Sequence, residues 1–187
     1  EGVRLSEPKL KLMGIEAVKS STPQVCRGKI KEAIKIIMSK EQSDLHKFVA
    51  DFKKEFLQMS AEQISFPRSC NNIRKYRDHS NVFIKGTPIH VKGALIYNHQ
   101  LQQFKLQNKY PFIQDGDKIK FLKLLEANPF KFDVISYITK LPTEFKLEQY
   151  IDYETQFEKT FLDPMRFILQ AIGWEHEPKA SLEAFFG

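Results

Sequence analysis

Lys19, Ser20, Ser21 and Thr22 stand together immediately before Pro23. One amine and three hydroxyls beside the free backbone N–H groups of a helix start form a ready cradle for a phosphate. The commoner meaning of such a cluster is an ordinary cap, with Thr22 at the N-cap and Pro23 at the first helical position. A second set of candidates lies between Arg68 and Lys92, where six basic residues meet one acidic residue. Lys75, Tyr76, Arg77, Lys85, His90 and Lys92 fall in this stretch, which Gly86 and Pro88 punctuate. Loops that carry Lys, Arg, Tyr, Asn and His suit the gripping of a phosphate backbone, where cations supply affinity without reading sequence. A solvated basic surface explains the charge alone equally well. A third set closes the chain: Leu182, Phe185 and Phe186 sit at i, i+3, i+4 of one short turn. A segment this short builds no core, so it docks either on its own domain or in a partner's groove.

Composition bounds these readings. The 187 residues are 42% hydrophobic and 28% charged, enough for a folded domain with a real core. Sixteen phenylalanines against one tryptophan make that core phenylalanine-rich. No apolar run approaches the roughly 18 residues of a membrane span. Cys26 and Cys70 form no paired motif and read as reduced thiols. The net charge of +6 is uneven: residues 1–100 carry 18 Lys and Arg against 10 Asp and Glu, and the remainder 11 against 13. The first half is therefore the anion-facing one.

The elements that must position these groups follow from periodicity. Lys9–Met13 alternates polar and apolar, as a half-buried strand does, and Gly14 interrupts it. From Pro23 to about Ser39 the spacing is helical, with Ile30, Ala33, Ile34 and Ile37 as the buried face and Arg27, Lys31 and Lys35 as a basic stripe beside it. Ser43 or Asp44 opens a second helix carrying Leu45, Phe48, Val49, Phe52 and Phe56, and the two pack as a hairpin. Ser65–Ser80 reads as irregular. Helical spacing returns over His90–Phe104. Asp115-Gly116 within Phe112–Leu125 signals a β-hairpin, and Phe132–Tyr137 adds a strand. A helical stretch then runs from Leu147 past Phe157 to Phe161, Asp163-Pro164 restarts a helix, and Gly173 stops it. Glu144, Glu148, Asp152, Glu154 and Glu158 read as a solvated acidic surface rather than a magnesium cluster, which needs converging carboxylates.

Three separated segments resemble the C-terminal part of the replicative DNA polymerase of T-even-type bacteriophages, a family B polymerase. The first comprises Arg4-Leu5 to Pro8, Lys11–Glu16 and Lys19–Pro23. The second comprises Asn72–Tyr76, Pro88–Gly93 and Tyr97-Asn98. The third comprises Glu158–Phe161 and Ala180-Ser181-Leu182 with the aromatic pair after it. The resemblance implies an α+β fold: a mainly helical thumb domain with a small β insertion, preceded by one palm strand. It implies residues 1–18 as the end of the palm, 19–174 as the thumb and 175–187 as a tail. Lys19, Lys75, Tyr76, Lys85, His90 and Lys92 then fall near the DNA backbone, with Ser20, Ser21, Thr22 and Arg77 beside them. Leu182, Phe185 and Phe186 match the apolar-x-x-aromatic-aromatic pattern of sliding-clamp peptides, without the usual leading glutamine.

What is missing counts too. Family B polymerases hold two metal ions on palm aspartates, one in a DTDS-like motif. No Asp-Thr-Asp occurs here, nor the fingers motif, nor an exonuclease carboxylate set. The expectation is a chain with no catalytic or metal-binding residues of its own, magnesium belonging to the complete polymerase. Its expected partners are primer–template duplex, a larger polymerase chain and the sliding clamp, with no membrane, in the host bacterial cytoplasm. The start at Glu1 fits an excised fragment or the small chain of a split polymerase. A stand-alone DNA- and clamp-binding adaptor is the alternative. An RNA-binding module lacks the aromatic platform that stacked bases need.

Overall fold

The computed structural model describes residues 5–179, which divide into two units. The first takes in the chain up to Met59 and again from Phe157; the second is Ser60–Gln156. The tail residues Leu182, Phe185 and Phe186 lie outside the described residues. The fold is α+β and mainly helical, as the sequence indicates, but the β structure occupies the second unit and not a single hairpin.

The first unit is helical throughout its described residues: α1 (Glu7–Ala17), α2 (Gln24–Ser39), α3 (Gln42–Phe56) and, at the far end of the chain, α8 (Asp163–Ile172). The expected strand over Lys9–Met13 is absent, because that segment is the body of α1. An isolated strand leaves its backbone donors and acceptors without partners, and this unit offers no sheet edge among its described residues. A helix satisfies them internally. Leu10, Gly14 and Ala17 then form its buried stripe. Gly14 lies close to α2: a Cβ there would stand 2.1 Å from Ile34 Cδ1, so the end of the Ile34 side chain would have to move to admit one.

α2 buries Ile30, Ala33, Ile34 and Ile37 as its spacing predicts, with Cys26 added. α3 begins with a capping box, in which Glu41 N–H donates to Asp44 Oδ2 at 3.0 Å. Its Leu45, Val49, Phe52 and Phe56 are buried, while Phe48 is only half covered. Phe52 meets Phe56, Phe157 and Phe161 with ring centroids 5.9, 5.6 and 4.8 Å away, all edge-on, the arrangement aromatic quadrupoles favour. The helix expected to restart at Asp163 never stops. A π-turn over Glu158–Leu162 carries the chain straight into α8 and gives Pro164, which has no N–H to donate, a place in a continuous helix.

The second unit wraps a helix over a sheet. Its elements are α4 (Ala61–Ile64), β1 (Phe66–Cys70), α5 (Ile73–Tyr76), β2 (Arg77–Asp78), β3 (Val82–Phe83), α6 (Ile89–Gln103), β4 (Asp117–Lys123) and β5 (Val134–Tyr137), and α7 (Tyr153–Phe157) leads out of it. β1, β4 and β5 form an antiparallel sheet in that order, with Phe66 opposite Phe121 and Phe121 opposite Ser136. Two expectations are corrected here. β1 lies within the stretch read as irregular; its Pro67 is tolerated because β1 is an edge strand. Asp115-Gly116 is not a hairpin tip but the entry to β4. Gly116, at φ +86°, donates its N–H to Cys70 O at 2.7 Å, and Asp115 Oδ1 accepts Ile73 N–H at 2.6 Å. The strand expected near Phe132–Tyr137 is β5.

α6 packs on β5 at close range because of Gly93. A Cβ there would stand 2.4 Å from Ser136 Oγ and 2.8 Å from its backbone nitrogen. Ser136 Oγ instead donates to His90 O at 2.8 Å, fixing the start of the helix on the sheet. Asn98 completes the clamp: its side chain bonds both the N–H and the C=O of Ile113, at 2.8 and 3.0 Å.

Candidate nucleic-acid interface

In the first unit, Lys19–Thr22 forms a tight turn between α1 and α2, with Lys19 and Ser20 exposed and Ser21 partly so. Thr22 is not the N-cap of α2. That position belongs to Pro23, whose carbonyl accepts the N–H groups of Cys26 and Arg27. Thr22 is buried, and its Oγ1 accepts Lys19 N–H at 3.0 Å. Its hydroxyl therefore shapes the turn and is not turned outward to a ligand. Arg27 does the rest. Its Nε donates to Thr22 O at 3.0 Å and its Nη2 to Lys19 O at 2.8 Å. Both acceptors are uncharged, so the guanidinium holds the turn and keeps its full positive charge. This fork was not legible from the sequence, because nothing in the spacing says that a side chain on the first turn of α2 folds back.

In the second unit, the structure brings Lys75, Tyr76, Arg77, Lys85, His90 and Lys92 together along α5, the β2–β3 ribbon and the start of α6. Ile73 anchors α5 in the core, which leaves Lys75 exposed with its ammonium 5.4 Å from the centre of the Tyr76 ring. Arg77 pairs with Phe83 across the ribbon, and Ile84 N–H donates to Tyr76 O at 3.0 Å. Lys85 and Gly86, the latter at φ +85°, form the exposed tip before Pro88.

His90 and Lys92 differ from these. The His90 ring leans on the sheet, 6.2 Å from Phe121 between ring centres. Burial, and then the nearby Arg68 charge, hold its pKa below the usual histidine value despite a hydrogen bond with the Ser69 backbone. Lys92 reaches Asp133 Oδ1 at 3.2 Å and lies 5.1 Å from the Phe83 ring centre. Asp133 is shared: its Oδ2 accepts Lys123 Nζ at 2.8 Å. The Lys123 hydrogen bond is the main reason the Asp133 carboxyl sits below its ordinary pKa. Two ammonium groups around one carboxylate leave one net positive charge. Beside it opens a shallow cavity of about 360 Å³ lined by Lys92, Glu126, Lys131, Phe132 and Asp133. Asn128 ties together the loop that carries Glu126, Lys131 and Phe132, donating from Nδ2 to Leu125 O and Phe132 O, each at 2.6 Å. Asp133 and Lys123 escaped sequence reasoning because the β4–β5 pairing alone brings them to Lys92.

Three of the acidic residues, Glu144, Asp152 and Glu158, have partners within the chain. Glu144 accepts from Tyr110 Oη at 2.8 Å and from Lys109 Nζ, and chiefly the Lys109 bond brings its pKa to about 2. Asp152 caps α7 through Thr155, and Glu158 pairs with Arg166 at 3.2 Å. Among the described residues no three His, Cys, Asp or Glu side chains converge as metal ligands. None of the helices among them is long and apolar enough to cross a membrane.

Fold and surface thus define a basic, mainly helical α+β module with two cation-bearing surfaces, one in each unit. No family model matches the chain. Along its whole length it is similar to phage DNA-directed DNA polymerases: 32% identical over 191 aligned positions to that of Enterobacteria phage T4, and 36% to that of Escherichia phage RB69. It spans 21% of the length of each. The resemblance carried by the three segments, which runs the length of the sequence and is weakest over Gln102–Gln149, is thus to part of a T4-type phage polymerase.

Proposed function

We propose that this chain is the duplex-gripping part of a phage DNA-directed DNA polymerase. Residues 19–174 act as the thumb, residues up to Val18 adjoin the palm, and the tail with Leu182, Phe185 and Phe186 tethers the enzyme to the sliding clamp. Lys75, Tyr76, Arg77, Lys85 and Lys92 hold the sugar–phosphate backbone of primer–template, with the Lys19–Thr22 turn close to the primer strand. His90, uncharged at neutral pH, contributes by hydrogen bonding and by seating α6. Nucleotidyl transfer and its magnesium belong to a larger chain bearing the exonuclease, fingers and palm, and this chain is inactive without it. The work takes place in the host bacterial cytoplasm.

The observation that carries the reading is the end-to-end similarity to a fifth of two phage polymerases. The clustering of five exposed or half-exposed groups along α5, β2–β3 and α6 supports it. A stand-alone adaptor is the second reading. Leu12 and Ile15 on α1 are 55% and 71% exposed, which favours a chain that a larger partner covers. The test is primer extension with the larger polymerase chain, with and without this one. Long products that require this chain, and that shorten when Leu182–Gly187 is deleted in the presence of the clamp, support the thumb and tether. Extension indifferent to its presence overturns them.

A further inference from the structure

The face of α2 opposite its buried residues turns Gln24, Gly28, Lys31 and Lys35 to solvent. Neither Lys31 nor Lys35 has a carboxylate at ion-pair distance among the described residues. The nearest acid on the helix, Glu32, is 3.9 Å from Lys29, which also meets Glu55 at 3.4 Å. Gly28 sits in the helix interior, where glycine is among the poorest residues. A Cβ there would meet nothing within 4 Å, so no packing within this chain accounts for it. It leaves a strip of bare backbone beside the two lysines. At the head of this face stands Arg27, whose charge is bonded only to the carbonyls of the Lys19–Thr22 turn.

We propose that the outer face of α2 is a second track for a nucleic-acid backbone, running from the Lys19–Thr22 turn past Gly28 to Lys31 and Lys35. Gly28 admits the sugar–phosphate chain close to the helix, and the two lysines neutralise its phosphates. From Arg27 to Lys35 the helix rises about 12 Å, the axial length of three to four phosphates of one duplex strand. The track rests on the duplex-binding reading above and adds to it a contact surface in the first unit.

The test is fluorescence anisotropy of a labelled DNA duplex titrated with the full chain over a series of KCl concentrations. Lys31→Gln with Lys35→Gln removes two phosphate contacts and reduces the slope of log K against log salt by about 1.8. Gly28→Gln, which keeps the charge and improves the helix, weakens binding about tenfold with the slope unchanged. Lys47→Gln with Lys54→Gln on α3 makes the same charge change off the track and leaves the slope as it was. An unaltered slope in the Lys31/Lys35 variant, a reduction no larger than in the α3 control, or full affinity in Gly28→Gln overturns the proposal, leaving α2 as a face for an acidic protein or for solvent. Failure of the unsubstituted chain to bind duplex at all removes the duplex-binding reading and the track together.

Discussion

The two units hold their cations in opposite ways. On α2, Arg27 is bonded to main-chain carbonyls, and Lys31 and Lys35 are exposed with no carboxylate at ion-pair distance among the described residues. At the start of α6, Lys92 shares Asp133 with Lys123. A carbonyl fixes a guanidinium without cancelling it, whereas a carboxylate removes a full charge from the local field. Counting basic residues along Arg68–Lys92 therefore overstates the positive potential of the second unit. Along α2 the same discount falls on Lys29, which meets Glu32 and Glu55, but not on Arg27, Lys31 or Lys35. The stiffness behind each surface also differs: an aromatic cluster of Phe52, Phe56, Phe157 and Phe161 supports the one, a helix pressed on a sheet at Gly93 the other.

The supports give the largest expected effects. Phe52→Ala removes the ring at the centre of the aromatic cluster and costs about 3–5 kcal/mol. Urea denaturation measures the loss, and hydrogen exchange should place it in α2, α3 and α8. Gly93→Ala is the counterpart in the second unit. The added methyl must displace Ser136, at a cost of about 1–3 kcal/mol, with lost exchange protection confined to α6 and β5. Equal effects of the two substitutions on both sets of amides would show that the units do not hold their surfaces separately.

The next effect tests the charge contrast itself. Asp133→Asn frees two ammonium groups and should raise duplex affinity at low salt by about three- to tenfold, steepening the salt slope by about 0.9. Weaker binding would show instead that Asp133 orients Lys92 for its phosphate. The pH dependence follows from the sign of the shift. Because the folded carboxyl lies below its usual value, the ion pairs are complete above an unfolded pKa of about 3.9 and are lost as pH falls through the lower folded value. The unsubstituted protein should therefore approach Asp133→Asn in affinity only below about pH 4. The smallest effect concerns His90. Its folded pKa is depressed, so its contribution to stability is complete above an unfolded pKa of about 6.5 and is lost as pH falls through the lower folded value. His90→Gln should flatten the fall of the urea midpoint between pH 7 and 5.5 by well under 1 M, and an identical pH profile in the two proteins would contradict the placement of the ring on the sheet.

How much of this was legible depended on how far the determining contacts lie along the chain. α2, α3 and α6 were readable because a helix takes its face from spacing alone: Ile30, Ala33, Ile34 and Ile37 are buried as their period demands. The sheet was not, since β1 finds its partner β4 some fifty residues on, and the local signs at Phe66-Pro67 speak against a strand. Asp115-Gly116 reads as a turn, but the strands it joins are set by the same distant pairing. Lys9–Met13 failed differently. Its alternation suits a strand only where a sheet edge exists, and with none among the described residues of its unit the backbone closes its own hydrogen bonds as α1. Among the candidate residues, side-chain type and local order single out Lys75 to Lys92, but the partners that decide their charge are not visible in the sequence. Asp133 stands 41 residues beyond Lys92. By spacing Arg27 is one member of a stripe, and its fork onto Lys19 and Thr22 depends on a turn geometry that the four-residue cluster does not specify.

Binding of the unsubstituted chain to two DNA duplexes of unrelated sequence, followed over a range of KCl concentrations, tests most directly whether this molecule is a backbone grip. The expected result is affinity for the two duplexes equal to within about threefold, falling with salt at a log–log slope steeper than about −3, as several phosphate contacts require. No measurable binding, a slope near zero, or a preference of more than about tenfold for one sequence would contradict it.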